Sequence, residues 1–112
     1  MAEPISIELL WFDGCPSHDG ARAMIEGVIA ELGVDARIES IEVSGETMGR
    51  VVDFAGSPSI RVAGRDIDPA DGPNEDFSLR CRVYATHTGL QGLPERQWLV
   101  DAIAAAKRET NP

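Results

Sequence analysis

The chain has 112 residues, ten of them basic and nineteen acidic, for a net charge of −9, and 43% are hydrophobic. That length and apolar content suit one domain around one core. A balance this acidic repels phosphate backbones and no basic stripe offsets it, so nucleic acid is not an expected partner. No apolar run approaches the ~20 residues that span a bilayer, so no membrane partner is expected either. Met1-Ala2-Glu3-Pro4 has no basic segment leading into an apolar one, which argues against a secretory signal and for a cytoplasmic protein.

Ile5 to Phe12 (ISIELLWF) is an apolar run too short for a buried helix and bounded by a turn, which predicts a strand. From Asp19 the period changes. Ala21, Met24, Ile25, Val28, Ile29 and Leu32 recur at the spacing of one helix face, and Gly33 suits the end of that helix. Ala36 to Val43 (ARIESIEV) is expected as a second strand, its imperfect alternation fitting partial cover on both faces. Ser44 and Gly45 break it. Met48, Val51, Val52 and Ala55 then predict a short helix from Glu46 to Ala55, closed by Gly56. Ser57-Pro58-Ser59 leads to Ile60-Arg61-Val62-Ala63, then Gly64, then Arg65-Asp66-Ile67-Asp68, the pattern of a β-hairpin with a glycine-containing turn.

Pro69 to Asn74 reads as loop, Leu79 to Tyr84 (LRCRVY) as an additional strand or extended lid, and Thr86 to Leu93 as loop. A last helix is expected from Glu95 to Arg108, opened by Pro94, with Trp98, Leu99, Ala102, Ile103 and Ala106 on its apolar face. Lys107 and Arg108 suit the negative end of its dipole. The order is β-α-β-α-β-β-α, an α/β domain. A right-handed crossover makes the first two strands parallel, and the hairpin completes a four-stranded mixed sheet with helices for both faces.

Cys15 carries the most chemistry. At a helix start, unpaired N–H groups and the positive dipole end favour thiolate over thiol, and Pro16 fits the first turn without losing a hydrogen bond. Cys15 is therefore a candidate nucleophile. The alternative is an inert packed cysteine, and a turn between Gly14 and Pro16 is a poor place to bury a side chain. His18 lies one helical turn further along the same face. It either assists the thiol, as a cation or a proton shuttle, or is a solvated helix residue with no duty.

Cys81 reads either as a resolving thiol or second soft-metal ligand brought back toward Cys15 by the hairpin, or as a small apolar residue under the loop. No CxxC…CxxC or CxxC…HxxxH spacing occurs, so no structural metal site and no cofactor is expected. Two free thiols are the starting state for a cytosolic protein. Asp13, Tyr84 and His87 are further candidates for lining the site, and Trp11 for shaping it. Arg61, Arg65, Arg80 and Arg82 form a loose local cluster, read here as solvated surface charge in preference to an anion site.

The residues Phe12-Asp13-Gly14-Cys15-Pro16-Ser17-His18, then Gly56-Ser57-Pro58-Ser59-Ile60, then Val62-Ala63-Gly64-Arg65-Asp66-Ile67 carry a resemblance to the thioredoxin-like superfamily. The resemblance covers nearly the whole chain apart from about 69–93, which looks like an insertion before the last helix. Within that superfamily the chain is similar to small bacterial proteins labelled alkylmercury lyase-like.

The resemblance implies a thiol-dependent redox or thiol-exchange protein in which Cys15 is the attacking cysteine. It implies that Pro58 is a cis-proline facing that cysteine, and that Ser57 and Pro58 offer backbone groups to an extended substrate. Redox members of the superfamily carry CxxC, whereas this chain reads CPSH with His18 in the fourth position. A dithiol cycle inside the motif is therefore impossible. Cys81, or an external small thiol or protein disulfide partner, has to complete the exchange.

The resulting catalytic candidates are Cys15, His18 and Cys81, with Ser57 and Pro58 as substrate-binding candidates and no assigned metal ligand. Two other functions stay open at this stage. One is soft-metal or organomercurial handling through Cys15 and Cys81, and the other is a non-enzymatic binding module with a vestigial thiol. The oligomeric state is open as well.

Overall fold

The first apolar run becomes strand β1, Ile5–Trp11, buried along one face and at Leu10 on the other. A computed structural model describes residues 3–110 of the chain. Because successive side chains alternate across a strand, Ile5, Ile7 and Leu9 face one core while Leu10 faces another. Helix α1, His18–Leu32, buries Ala21, Ile25 and Val28 against the first of these. Gly33 ends α1 in the left-handed conformation, its N–H bonded to the Ile29 carbonyl.

Strand β2, Ala36–Glu42, pairs parallel with β1 over its full length, from Ile5 opposite Ala36 to Trp11 opposite Glu42. Strand β3, Ser59–Val62, runs antiparallel to β1, and the short strand β4, Arg65–Asp66, runs antiparallel to β3. The sheet order is β2-β1-β3-β4. Ala63 and Gly64, both at positive φ, make the tight turn of the β3–β4 hairpin. The four-stranded mixed sheet thus matches the expectation.

Helix α2, Glu46–Val52, lies on the other face and stops earlier than its spacing suggested. Asp53 takes the left-handed conformation, the Phe54 N–H returns to the Gly49 carbonyl at 2.8 Å, and Phe54 turns into the second core with Leu10 and Val43. Burying that ring outweighs another turn of exposed helix. Helix α3, Arg96–Thr110, packs Leu99, Ile103 and Ala106 beside α1 in the first core.

The 69–93 segment differs most from the expectation. Leu79 to Val83 forms no full strand, only a single parallel bridge between Cys81 and Ser57. The regular structure comes later, where a loop was expected. Strands β5, Tyr84–Thr86, and β6, Gly89–Gln91, form a hairpin with Thr86 paired to Gly89. Of the two glycines that suggested a loop, Gly89 opens β6 and Gly92 follows it, and the Thr86 hydroxyl closes the turn on the Gly89 carbonyl at 2.7 Å.

The 69–93 segment docks on α2 through Gly49. A Cβ there would meet the Phe77 carbonyl oxygen at 2.2 Å, so only glycine permits the approach. Gly49→Ala is expected to lift Phe77 from α2 and raise amide exchange through residues 75–79. Unchanged exchange in that segment would refute the docking role.

Candidate functional site

Cys15 sits in a pair of consecutive turns between β1 and α1. Its N–H bonds the Phe12 carbonyl at 3.1 Å, and its own carbonyl accepts from the His18 N–H at 3.4 Å. Gly14 enables the first turn with φ of +93°, a region that side chains rarely adopt. Open space surrounds a Cβ at that position, so Gly14→Ala should cost about 1 kcal/mol through backbone strain alone. Urea unfolding measures that cost, and an unchanged midpoint would refute it.

The helix starts later than expected. Ser17 is the N-cap and His18 the first helical residue, so Pro16 precedes the cap instead of occupying the first turn. Cys15 therefore approaches α1 from two residues before its cap, and its side chain is half-buried.

His18 is held by Trp11. Their rings stack with centroids 3.8 Å apart and planes 10° from parallel. The Trp11 indole N–H is fixed in turn by the Ser40 hydroxyl at 2.8 Å, across the β1–β2 pair. The His18 Nε2 atom is buried without a hydrogen-bond partner, while Nδ1 lies 3.8 Å from Asp19. The imidazole is thus a packed platform on the strand end, not a freely solvated side chain.

Ser57 and Pro58 lie at the same end of the sheet. Leu10 pairs with Ser59, so extending that antiparallel register by two residues sets Phe12, the turn anchor of Cys15, opposite Ser57. The Ser57–Pro58 bond is cis, and both residues are buried. The resemblance had these residues offering backbone groups to a substrate. Here those groups are occupied: the Ser57 N–H donates to the Arg80 carbonyl and the Ser57 carbonyl accepts from the Arg82 N–H, both at 2.8 Å.

Cys81 lies between those two hydrogen bonds and is exposed, so it does not pack under the loop. It reaches this end of the sheet through the 69–93 segment, not through β4. Both cysteines are free thiols. The exit of the 69–93 segment passes over the start of α1, with Gly92 against Ser17 and Leu93 against Gly20.

Of the further candidates, Tyr84 is fully buried and its hydroxyl donates to the Pro58 carbonyl. His87 stands exposed at the β5–β6 turn and binds Glu95, holding that carboxyl below its ordinary range through the backbone N–H first and the ring second. Asp13 is exposed in the turn.

Sequence reading missed Arg82. Expected as solvated charge, it is 8% exposed, because its guanidinium takes both carboxylate oxygens of Asp66 and the Ser59 hydroxyl, the last at 3.0 Å. Asp68 and Asp71 stand at 3.5 and 3.9 Å, and the Tyr84 ring lies under the guanidinium at 4.6 Å. Burial works against the charge, but the Asp66 bond and the neighbouring acids outweigh it, so the arginine is held above its ordinary pKa. The period-two spacing in Arg80-Cys81-Arg82-Val83-Tyr84 puts 82 and 84 on one inward side, the only hint available beforehand. The other three arginines are also engaged: Arg61 with the Asp53 carbonyl, Arg65 with Glu109 and Arg80 with Asp76.

Burial also raises the Tyr84 phenol well above its ordinary value of 10. A raised folded-state pKa means that this stabilisation is complete below about pH 10 and is lost as the pH climbs further. The chain has one tyrosine. Its phenolate absorbance should therefore appear together with alkaline unfolding; a midpoint near 10 with native circular dichroism would refute the burial argument.

Among the described residues no group of three or more His, Cys, Asp or Glu side chains is arranged to hold a metal ion, and no helix is long and apolar enough to cross a membrane. Comparison with family models, with curated proteins and with solved structures finds no match.

Proposed function

We propose that the protein is a thioredoxin-like, thiol-dependent redox or thiol-exchange protein of the cytoplasm, with Cys15 as nucleophile and Cys81 as resolving thiol. The fold part of this reading is supported by the strand order β2-β1-β3-β4, with β1 and β2 parallel and the other pairs antiparallel. The single observation that carries the chemistry is the bridge that sets Cys81 beside Ser57, at the sheet end where the Cys15 turn is anchored.

In the first step the Cys15 Sγ, as thiolate, attacks one sulfur of a disulfide. A mixed disulfide forms, and the departing sulfur leaves with the electron pair and takes a proton from water. The Cys81 Sγ then attacks the Cys15 Sγ, releasing the second thiolate and leaving a Cys15–Cys81 disulfide. The substrate gains two electrons and the protein loses them; two equivalents of an external thiol, which leave joined as their own disulfide, restore the starting state.

The test is exchange with a small disulfide, followed by release of its thiolate. Cys15→Ser should abolish the reaction, whereas Cys81→Ser should stop it at a stable mixed disulfide. Mild oxidation of the native chain should remove two hydrogens and yield a single cross-linked peptide pair. Dimers joined through Cys15, with no intrachain bond, would overturn the resolving role of Cys81. Exchange equal to that of Cys15→Ser would overturn the function.

A further inference from the structure

An extended polypeptide docks on a protein most readily by pairing with unfilled backbone N–H and C=O groups at a sheet edge. At the thiol end of this sheet, the corresponding groups are filled from within the chain. The Ser57 N–H and C=O go to Arg80 and Arg82, and the Pro58 carbonyl goes to the Tyr84 hydroxyl.

The filling segment is firmly fastened. Arg82 locks it from below through Asp66 and Ser59. Asn74 ties the approach of the segment to the Phe54 carbonyl at 2.8 Å, and Phe77 rests on Gly49. The exit crosses Ser17 and Gly20 at the start of α1. A competing peptide strand would have to break two backbone bonds and extract a buried guanidinium from its carboxylates.

We infer that residues 80–82 are a built-in strand occupying the polypeptide position beside Ser57, so that the site takes small disulfides and excludes extended peptide disulfides. The inference rests on the thiol reading above and narrows its substrate class. The insertion then acts in two ways at once. It supplies Cys81 and, with the same three residues, closes the surface on which a protein partner would lie.

The test isolates the Cys15 step in a Cys81→Ser background, in single turnovers. Two probes are used, oxidised glutathione and a disulfide-linked dimer of an unstructured ten-residue peptide. Mixed disulfide with glutathione should form at least about tenfold faster than with the peptide, since the peptide has to break the two backbone bonds that hold residues 80–82 at Ser57. Adding Arg82→Met should release the segment and bring the two rates together.

Cys15-dependent reaction at equal rates in the strapped protein overturns this inference and leaves the thiol function standing. Reaction with neither probe above a Cys15→Ser,Cys81→Ser background overturns both. The comparison in the strapped protein decides the matter even where Arg82→Met does not fold. A complementary measurement is the exchange rate of the Ser57 amide in the native chain. Excess peptide should leave it unchanged, and peptide-dependent loss or gain of protection there would contradict a filled position.

Discussion

Arg82→Ala is expected to destabilise the fold by about 3–5 kcal/mol, among the largest single-residue effects in the chain. The mutation removes the partner of buried Asp66 and leaves Asp68 and Asp71 facing the same vacated space. It also strips the Ser59 hydroxyl of a donor and the Tyr84 ring of its cation. For a domain stable by about 5–15 kcal/mol, that is a large share. Urea unfolding with an unchanged slope would measure it.

The deficit should also depend on pH with a definite sign. Asp71 is already raised from its ordinary value, by burial first and by the charge of Asp66 second. Without the arginine, whose charge lowers it, the Asp71 carboxyl is pushed further up, and a raised folded-state pKa favours the fold at low pH only. The gap between Arg82→Ala and the native chain should therefore narrow as the pH falls through the carboxylate range and widen toward neutrality. A gap that is constant between acid and neutral pH would show that the loss is one of packing and not of charge pairing. Replacing both partners by apolar residues, Arg82→Met with Asp66→Leu, should recover part of the loss.

Phe54→Ala should cost a comparable amount, about 3–5 kcal/mol, because the ring is fully buried at the centre of the smaller core. Leu10, Val43, Met48 and Val52 would line the space it leaves. The same ring is the reason that α2 stops at Val52, so the substitution also removes the incentive for the Asp53 left-handed turn. Together with lower stability, the variant should show weakened protection at the backbone amide of position 54, which in the native chain bonds the Gly49 carbonyl at 2.8 Å. A loss below about 1 kcal/mol would mean that this core collapses to fill the space.

Wherever one hydrophobic period persists over a whole element, the sequence makes the structure legible. The run from Ile5, the helical stripe from Ala21 to Leu32 and the Ala63-Gly64 turn each carry a local signal, and each element appears within a residue or two of its expected bounds. What escaped reading depends on groups distant along the chain. Arg82 is buried because Ser59, Asp66, Asp68 and Asp71 converge on it, and no window of local sequence contains all five.

The end of α2 was set by where Phe54 could be buried, a tertiary preference that overrides the helical spacing of Val51, Val52 and Ala55. At the site, the cysteine turn stood out from residue type, and the proline before the third strand from the resemblance. That Ser57 is already bonded on both sides did not, because its partners, Arg80 and Arg82, lie more than twenty residues further along the chain.

The strand order has a consequence for how copies of this chain meet in concentrated solution. β4 is an outer strand of two residues, too brief to template a foreign strand. β2, the opposite outer strand, is long enough, but it carries Arg37, Glu39 and Glu42 along seven residues. In a chain of net charge −9, stacking two such borders would force like charges together without the water that now screens them. One flank is too small to recruit a neighbour and the other too ionic, a guard against fibrils built into the margins of the sheet.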